Sequence, residues 1–158
     1  MSGKSVETRY TVRTARGADL EAILAVERAS FGRWAWDRKL FAEILDTPGS
    51  LFLVVEAGDG VDGYCAATAG RGGGMSLDSI AVAPRARGTG AADALLRSLL
   101  RRARARGAGR MTLMVKVTNR RAQAFYERHG FRRTGRVPGY YEDGRDGFRY
   151  VRDAPASR

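Results

Sequence analysis

Hydrophobic positions along the chain change period several times, and each change marks an element. Tyr10 to Thr14 reads as a short strand, and a helix is expected from about Asp19, an acidic residue suited to a first turn. Leu20, Ile23, Leu24 and Phe31 fall on its 3.6-residue face. A second short helix is expected over Asp37 to Leu45, closed by Pro48-Gly49. Leu51 to Glu56 and Gly63 to Thr68 are apolar runs separated by Gly58-Asp59-Gly60, the pattern of a hairpin. The glycines 72–74 then turn the chain into a fourth strand, Ser76 to Val82.

The strongest helix follows. Ala92, Leu95, Leu96, Leu99, Leu100 and Ala103 share one face, Arg97, Arg101 and Arg104 point away, and Gly107 supplies the stop. A strand over Met111 to Val117, a helix over Arg120 to Arg128, a strand from Phe131 and a last strand over Gly147 to Val151 complete the chain. The order is β-α-α-β-β-β-α-β-α-β-β. Its two strand–helix–strand passages imply a partly parallel sheet covered by helices.

A length of 158 residues suits one domain, 1–158, with flexible tails at 1–8 and 153–158. No apolar run approaches the roughly 18 residues of a membrane span. The first ten residues lack the apolar core of a secretory signal, so a cytoplasmic protein with no membrane partner is expected. The single cysteine, Cys65, lies in an apolar stretch, which excludes a disulfide framework and suits a buried thiol. The net charge of +11 is almost all arginine. It suits an anionic ligand or nucleic acid, and equally a composition rich in Arg, Ala and Gly, so charge alone selects nothing.

Candidate chemistry concentrates where the fourth strand meets the long helix. After Ile80, Ala81, Val82 and Pro84 comes a basic, glycine-bearing turn that opens directly into the helix: Arg87, Gly88, Thr89, Gly90, Ala91, Ala92. The first amides of a helix have no internal partner and sit at the positive end of its dipole, and glycines leave them unshielded. Such a turn is an anion cradle that fits a diphosphate. It lacks the third glycine of a dinucleotide fingerprint. Gly3-Lys4-Ser5 mimics the end of a P-loop, but without an upstream glycine or a preceding strand it is read as chance.

Arg87-Gly-Thr-Gly90-Ala-Ala92 resembles the (Arg/Gln)-x-x-Gly-x-(Gly/Ala) signature of the GNAT acetyltransferases, preceded by their Val-x-Pro. A second block, Asn119-Arg-Arg-Ala122-Gln-Ala-Phe125-Tyr126-Glu-Arg-His-Gly130-Phe131, is similar to that family's Asn-x-x-Ala-x-x-x-Tyr-x-x-x-Gly-Phe. The resemblance implies an α/β (α+β) GNAT fold with a mixed, mostly antiparallel sheet of six to seven strands and about four helices. It implies acetyl-CoA as cosubstrate, with no metal. The amides of residues 87–92 would bind its diphosphate and Ile80 to Val82 its acetyl and pantetheine end. Asn119 would bond the pantetheine arm, with Ala122 and Tyr126 also on the cofactor. Tyr126 matches the family's general acid. An ordinary phenol, with a pKa of about 10, stays protonated at neutral pH and can donate to a departing thiolate. The competing reading of Tyr126 is a packed aromatic, a position that Phe125 suits better. His129, the only histidine, reads as a helix-end residue.

Glu27-Arg-Ala-Ser30-Phe31, Trp36-Asp-Arg-Lys-Leu-Phe41 and Gly139-Tyr140-Tyr141-Glu-Asp-Gly-Arg-Asp-Gly are similar to the ribosomal-protein alanine N-acetyltransferase branch. In that branch the early helices and the late hairpin wall a groove for a protein N-terminus. This makes Phe31, Trp36, Tyr140 and Tyr141 candidate substrate contacts, each with aromatic packing as the competing reading. Where several members of the branch carry a glutamate base on the fifth strand, this chain has Met114, and Asp78 is a weaker candidate base. An α-amine needs less help: with a pKa of about 7.7–8.0, on the order of a fifth is neutral near pH 7.3, against roughly one part in a thousand for lysine. The leading expectation is therefore transfer to a protein or peptide N-terminus by a monomer or homodimer. Acetylation of a small amine (a polyamine, amino acid or aminoglycoside) is the enzymatic alternative. A non-catalytic acyl-CoA sensor or an RNA-binding module is the other, and nucleic acid is not the expected partner because the aromatics form no paired-strand platform.

Overall fold

The computed structural model describes residues 10–58 and 60–154. Its elements are β1 (Thr11–Thr14), α1 (Leu20–Phe31), α2 (Arg38–Asp46), β2 (Leu51–Ala57), β3 (Gly60–Ala69), β4 (Met75–Val82), α3 (Ala91–Ala105), β5 (Arg110–Lys116), α4 (Arg120–Arg128), β6 (Arg132–Val137) and β7 (Gly147–Asp153). Element order agrees with the periodicity throughout. The strands form one seven-stranded sheet in the order β1-β2-β3-β4-β5-β7-β6. β1·β2, β5·β7 and β6·β7 are antiparallel, and β4·β5 is parallel through Met75↔Met111 and Ser76↔Thr112. β7 therefore inserts between β5 and β6, so the second strand–helix–strand passage yields two strands of like direction that are not neighbours.

Local chemistry sets the helix ends. Asp37 caps α2 by accepting from the Leu40 amide at 2.9 Å. Asp19, the residue before α1, closes the preceding 3-10 turn by accepting from the Arg16 amide at 2.7 Å, and it also accepts from both terminal nitrogens of Arg13 at 2.8 Å. That guanidinium holds the Asp19 carboxyl below the ordinary aspartate range. Gly107 stops α3 as the spacing predicts. It adopts φ +82, its amide donates to the Arg104 carbonyl, and the Ala108 amide donates to the Ala103 carbonyl at 3.0 Å.

Two compact units divide the chain, one holding residues up to Ala66 with Ser79–Arg101, the other Ala67–Asp78 with the rest from Arg102. In the first, Ile23, Leu24, Phe41, Phe52, Val54, Tyr64 and Ala81 belong to one buried cluster, with Trp36 packed on it. Leu95, Leu96 and Leu99 of α3 are fully buried, each worth about 1.5–3 kcal/mol by transfer from water. In the second, Met111, Leu113, Val115, Tyr126, Phe131, Tyr150 and Val151 are buried.

Three expectations change. Phe31 is 40% exposed instead of buried with Leu20, Ile23 and Leu24, because α1 ends there and the chain turns away at Gly32, φ +54. Strand β7 continues through Asp153, paired with Arg110, and the Ala154 amide donates to the Gly109 carbonyl at 2.8 Å, so the expected tail does not begin at 153. Of the aromatic pair on α4, Tyr126 is buried and Phe125 only half-buried, because the inward positions are Gln123 and Tyr126, three apart. The expected tails at 1–8 and 155–158, the Gly3-Lys4-Ser5 motif and the hairpin residue Asp59 lie outside the described residues.

Candidate active site

In the first unit, β4 delivers Ile80, Ala81 and Val82 to a short 3-10 turn, Pro84–Ala86, and then to Arg87. Strand β3 approaches this stretch so closely that a Cβ at Gly63 would lie 2.8 Å from the Ala81 carbonyl oxygen and from Val82 Cγ1. Beyond Arg87 the backbone is left-handed at Gly88, φ +74, and at Gly90, φ +94. A Cβ at either glycine would meet nothing within 4 Å. Glycine is thus required by backbone angle, not by packing, and the space above the turn is open. The Gly90 carbonyl accepts the first α3 bond, from the Ala94 amide at 3.0 Å. Ala91 and Ala92 accordingly place their amides in the first turn, where no carbonyl of the helix reaches them. Thr89 steadies the loop: its hydroxyl donates to the Ala86 carbonyl and accepts from the Tyr10 hydroxyl at 2.5 Å. Helix N-termini opened by such a glycine bend are suited to anions in general.

The same unit holds a buried polar chain. Glu27, on α1, is 1% exposed and Tyr64, on β3, is fully buried. The Tyr64 hydroxyl lies 2.8 and 2.9 Å from the two Glu27 carboxylate oxygens and 2.7 Å from Ser79 Oγ on β4. The Trp36 amide also bonds Glu27. Burial pushes the Glu27 carboxyl up to about 7, against the opposing pull of the Tyr64 hydroxyl and the Trp36 amide. Burial and the adjacent carboxylate push the Tyr64 phenol upward as well.

In the second unit, Asn119 caps α4, its side-chain oxygen accepting from the Ala122 amide at 3.1 Å. Gln123 ties the helix to the end of β5 by donating to the Lys116 and Val117 carbonyls at 3.2 and 3.0 Å. Tyr126 packs edge-on to Phe125 and Phe131, with ring centres 5.2 and 5.7 Å apart. His129 is the C-cap of α4, a helix-end position as expected. Asp78 is exposed and accepts from the Thr68 hydroxyl at 2.6 Å. Met114 is half-buried, and a Cβ at Gly147 would lie 2.8 Å from its methyl carbon and 3.3 Å from Tyr140. Tyr140 is 52% exposed, edge-on to the half-buried Tyr141. Asp143 and Asp146 brace this loop through Lys116 at 2.9 Å and Arg136 at 2.7 Å.

The family model described as the acetyltransferase (GNAT) family matches residues 20–131, which include both the glycine bend and the Asn119–Phe131 block. The chain belongs to the GNAT acetyltransferase family. It is an N-acyltransferase by that membership. It is 30% identical over 139 residues, 87% of this chain and 91% of the relative, to a candidate ribosomal protein bS18-alanine N-acetyltransferase of Bacillus subtilis. It is also 30% identical to an uncharacterised N-acetyltransferase of Methanocaldococcus jannaschii, over 93% of this chain and 94% of the relative. Among solved structures, the fold is shared with Ard1 from Thermoplasma volcanium at TM-score 0.85 and 22% identity, covering 93% of this chain and 99% of that one. It is shared too with the ribosomal-protein-S18-alanine N-acetyltransferase of Escherichia coli at TM-score 0.84 and 24% identity, covering 95% and 97%. Among the described residues, no helix is long and apolar enough to cross a membrane.

The four candidate substrate aromatics divide. Phe31 and Tyr140 are exposed, whereas Trp36 packs on the core with its ring 5.6 Å from Phe41, and Tyr141 stacks beneath Lys116. Two features escape sequence reasoning. Trp34, 40% exposed under the Arg33 guanidinium, belongs beside Phe31 as an exposed aromatic. The Glu27–Tyr64–Ser79 chain left one trace: Glu27 occupies a buried position on the face defined by Leu20, Ile23 and Leu24.

Proposed function

We propose that this protein transfers the acetyl group of acetyl-CoA to the α-amine at the N-terminus of a protein or peptide. The observation that carries the reading is the open left-handed bend at Gly88 and Gly90 running directly into the N-terminus of α3. Its amides and Arg87 would hold the diphosphate of acetyl-CoA, which supplies an activated thioester. The edge of Ile80 to Val82 would align the acyl end. The carbonyl oxygen of Asn119 already caps α4, so its side-chain NH2 would serve the pantetheine arm, beside Ala122. Tyr126 would donate its phenolic proton to the departing sulfur. Similarity to a relative named for bS18-alanine acetylation, and the exposed rings of Phe31 and Tyr140, support a peptide acceptor. Asp78 keeps a place as a candidate base, through water.

The test is acetyl-CoA consumption against a panel of N-terminal peptides beside a panel of polyamines, amino acids and aminoglycosides, with the modified nitrogen located by mass spectrometry. Acetylation of peptide α-amines supports the proposal, and reaction with small amines alone overturns the acceptor. Tyr126→Phe is expected to lower kcat on the order of 100-fold, the scale of one general acid, with acetyl-CoA affinity unchanged. Undiminished turnover removes Tyr126 from the mechanism.

A further inference from the structure

We infer that Glu27, Tyr64 and Ser79 form a proton relay in which Ser79 Oγ takes the proton of the attacking amine and Glu27 stores it. The inference rests on acetyl transfer to an amine as proposed above. Three observations lead to it.

First, the hydrogen bonds have a forced direction. A phenol carries one proton. With Glu27 ionised, Tyr64 gives that proton to the carboxylate oxygens 2.8 and 2.9 Å away. The Tyr64 oxygen then accepts from Ser79 Oγ at 2.7 Å. Ser79 thus points its own proton inward and keeps its remaining lone pairs for a donor outside the chain. Second, exposure is graded along the relay. Glu27 and Tyr64 are buried and Ser79 is half-buried, so the serine is the member that can meet a ligand. Third, both ends touch parts already assigned to the reaction. Ser79 immediately precedes Ile80–Val82 on β4, and Glu27 accepts from the amide of Trp36 in the α1–α2 connection, beside the candidate acceptor aromatics. A carboxylate buried on the apolar face of α1 is costly unless it has work to do.

The step balances. The amine nitrogen bonds to the thioester carbonyl carbon and the carbon–sulfur bond breaks, the thiolate taking a proton from Tyr126. The surplus proton on nitrogen passes to Ser79 as the serine proton passes to Tyr64 and the Tyr64 proton to Glu27. Glu27 ends neutral and Tyr126 ionised, and exchange with solvent restores both. Ser79 touches the substrate, while Tyr64 and Glu27 are positioning residues that act through it. Burial holds the Glu27 carboxyl near 7, so it can accept a proton where an α-amine is partly neutral. The titratable groups on this chain are the Tyr64 phenol and, beside it, Cys65. The elements packed against α1 also carry charged groups: Arg38, paired with Glu21, and Lys39, Glu43 and Asp46 on α2, Arg33 over the Trp34 ring, Arg85, paired with Asp62, and Asp19, paired with Arg13.

The experiment compares wild type with Ser79→Ala, Ser79→Thr, Tyr64→Phe and Glu27→Gln, using whichever amine the wild-type protein acetylates, across pH 5.5 to 9. The ratio of wild-type to variant kcat is read at each pH, because titration of the acceptor cancels in it. For Ser79→Ala, Tyr64→Phe and Glu27→Gln the ratio is expected to be small at pH 5.5, to climb through about 7, and to level off on the order of 10- to 100-fold. Ser79→Thr keeps a hydroxyl and is expected to recover most of the rate, and the KM for acetyl-CoA stays unchanged throughout. Ser79→Ala leaves the buried Glu27–Tyr64 pair intact, so its result does not depend on tolerance of the core. A ratio that is flat with pH, or a Ser79→Ala variant within about twofold of wild type, overturns the relay and leaves acetyl transfer standing. A wild-type protein that acetylates no amine overturns both.

Discussion

The bend over residues 87–92 and the Glu27–Tyr64–Ser79 chain bring polar groups to bear in opposite ways. The bend is made of backbone: two exposed left-handed glycines, with nothing within 4 Å of where their side chains would begin, leading into the first turn of α3, where Ala91 is buried and Ala92 half-buried. The chain is made of side chains from α1, β3 and β4, with Glu27 and Tyr64 buried in the core, where Phe41 stands edge-on to Tyr64 at 5.3 Å, and Ser79 half-buried at its outer end. A backbone cradle needs only the right φ and ψ, so it tolerates any neighbours that leave it open. A side-chain chain needs three elements packed in register, so it is only as ordered as the core around it.

The largest effect expected from this contrast is at Phe41. Its ring is fully buried and meets Trp36, Phe52 and Tyr64. Phe41→Ala should cost about 3–5 kcal/mol of stability, the scale for removing a core phenylalanine, measured by denaturant unfolding. Folded protein should still bind CoA in calorimetry, because the bend does not rest on that ring. Loss of CoA affinity from the folded variant would erase the distinction between the two regions.

Gly90→Val reverses the pattern. With φ at +94 a β-branched residue is strained, by about 1–3 kcal/mol, and the bend must open to relieve it. CoA affinity should fall on the order of 10-fold or more, while the pH profile of stability, governed elsewhere, keeps its shape. Unchanged affinity would mean that the diphosphate binds away from the bend.

Glu27→Gln tests the cluster through pH. Burial raises the folded carboxyl from the ordinary 4.5 to about 7, so between those values the folded state holds a proton that the unfolded state has released. The stability from this group is therefore full below 4.5 and is lost as pH rises to about 7. Gln lacks the titration. The Tm of Glu27→Gln relative to wild type should climb between pH 4.5 and about 7.5 and then level. A Tm difference that does not move with pH would show that Glu27 titrates as an exposed glutamate does.

The same contrast explains what was legible in the sequence. The bend is contiguous: an apolar strand, Pro84, Arg87, two glycines and an amphipathic helix can be read in order, and the residues that start and stop α3 fall where spacing puts them. The order of all the elements was legible for the same reason. The Glu27–Tyr64–Ser79 chain joins residues 37 and 15 positions apart, and only the fold brings them together. A glutamate at a stripe position of α1 was the one local sign. Likewise, periodicity could not choose between the adjacent Phe125 and Tyr126, because one residue of phase in α4 decides which ring goes inside. Nor could it place β7 between β5 and β6, since strand order across a sheet is settled by tertiary packing.

The smallest expected effect lies at the edge of the bend. The Tyr10 hydroxyl donates to Thr89 Oγ1, whose own proton goes to the Ala86 carbonyl. Tyr10→Phe removes the outer bond and leaves the inner one, and a solvent-exposed hydrogen bond is worth only about 0.5–1.5 kcal/mol at most. If the glycines alone set the shape of the bend, CoA affinity should change by less than about threefold, under the 1.4 kcal/mol that makes a tenfold difference. A larger loss in calorimetry would mean that Thr89 is held in place by Tyr10, and that the cradle depends on a long-range side-chain contact after all. The two regions would then differ in degree only, and the bend would share the weakness of the buried chain: its order would rest on residues far apart in sequence.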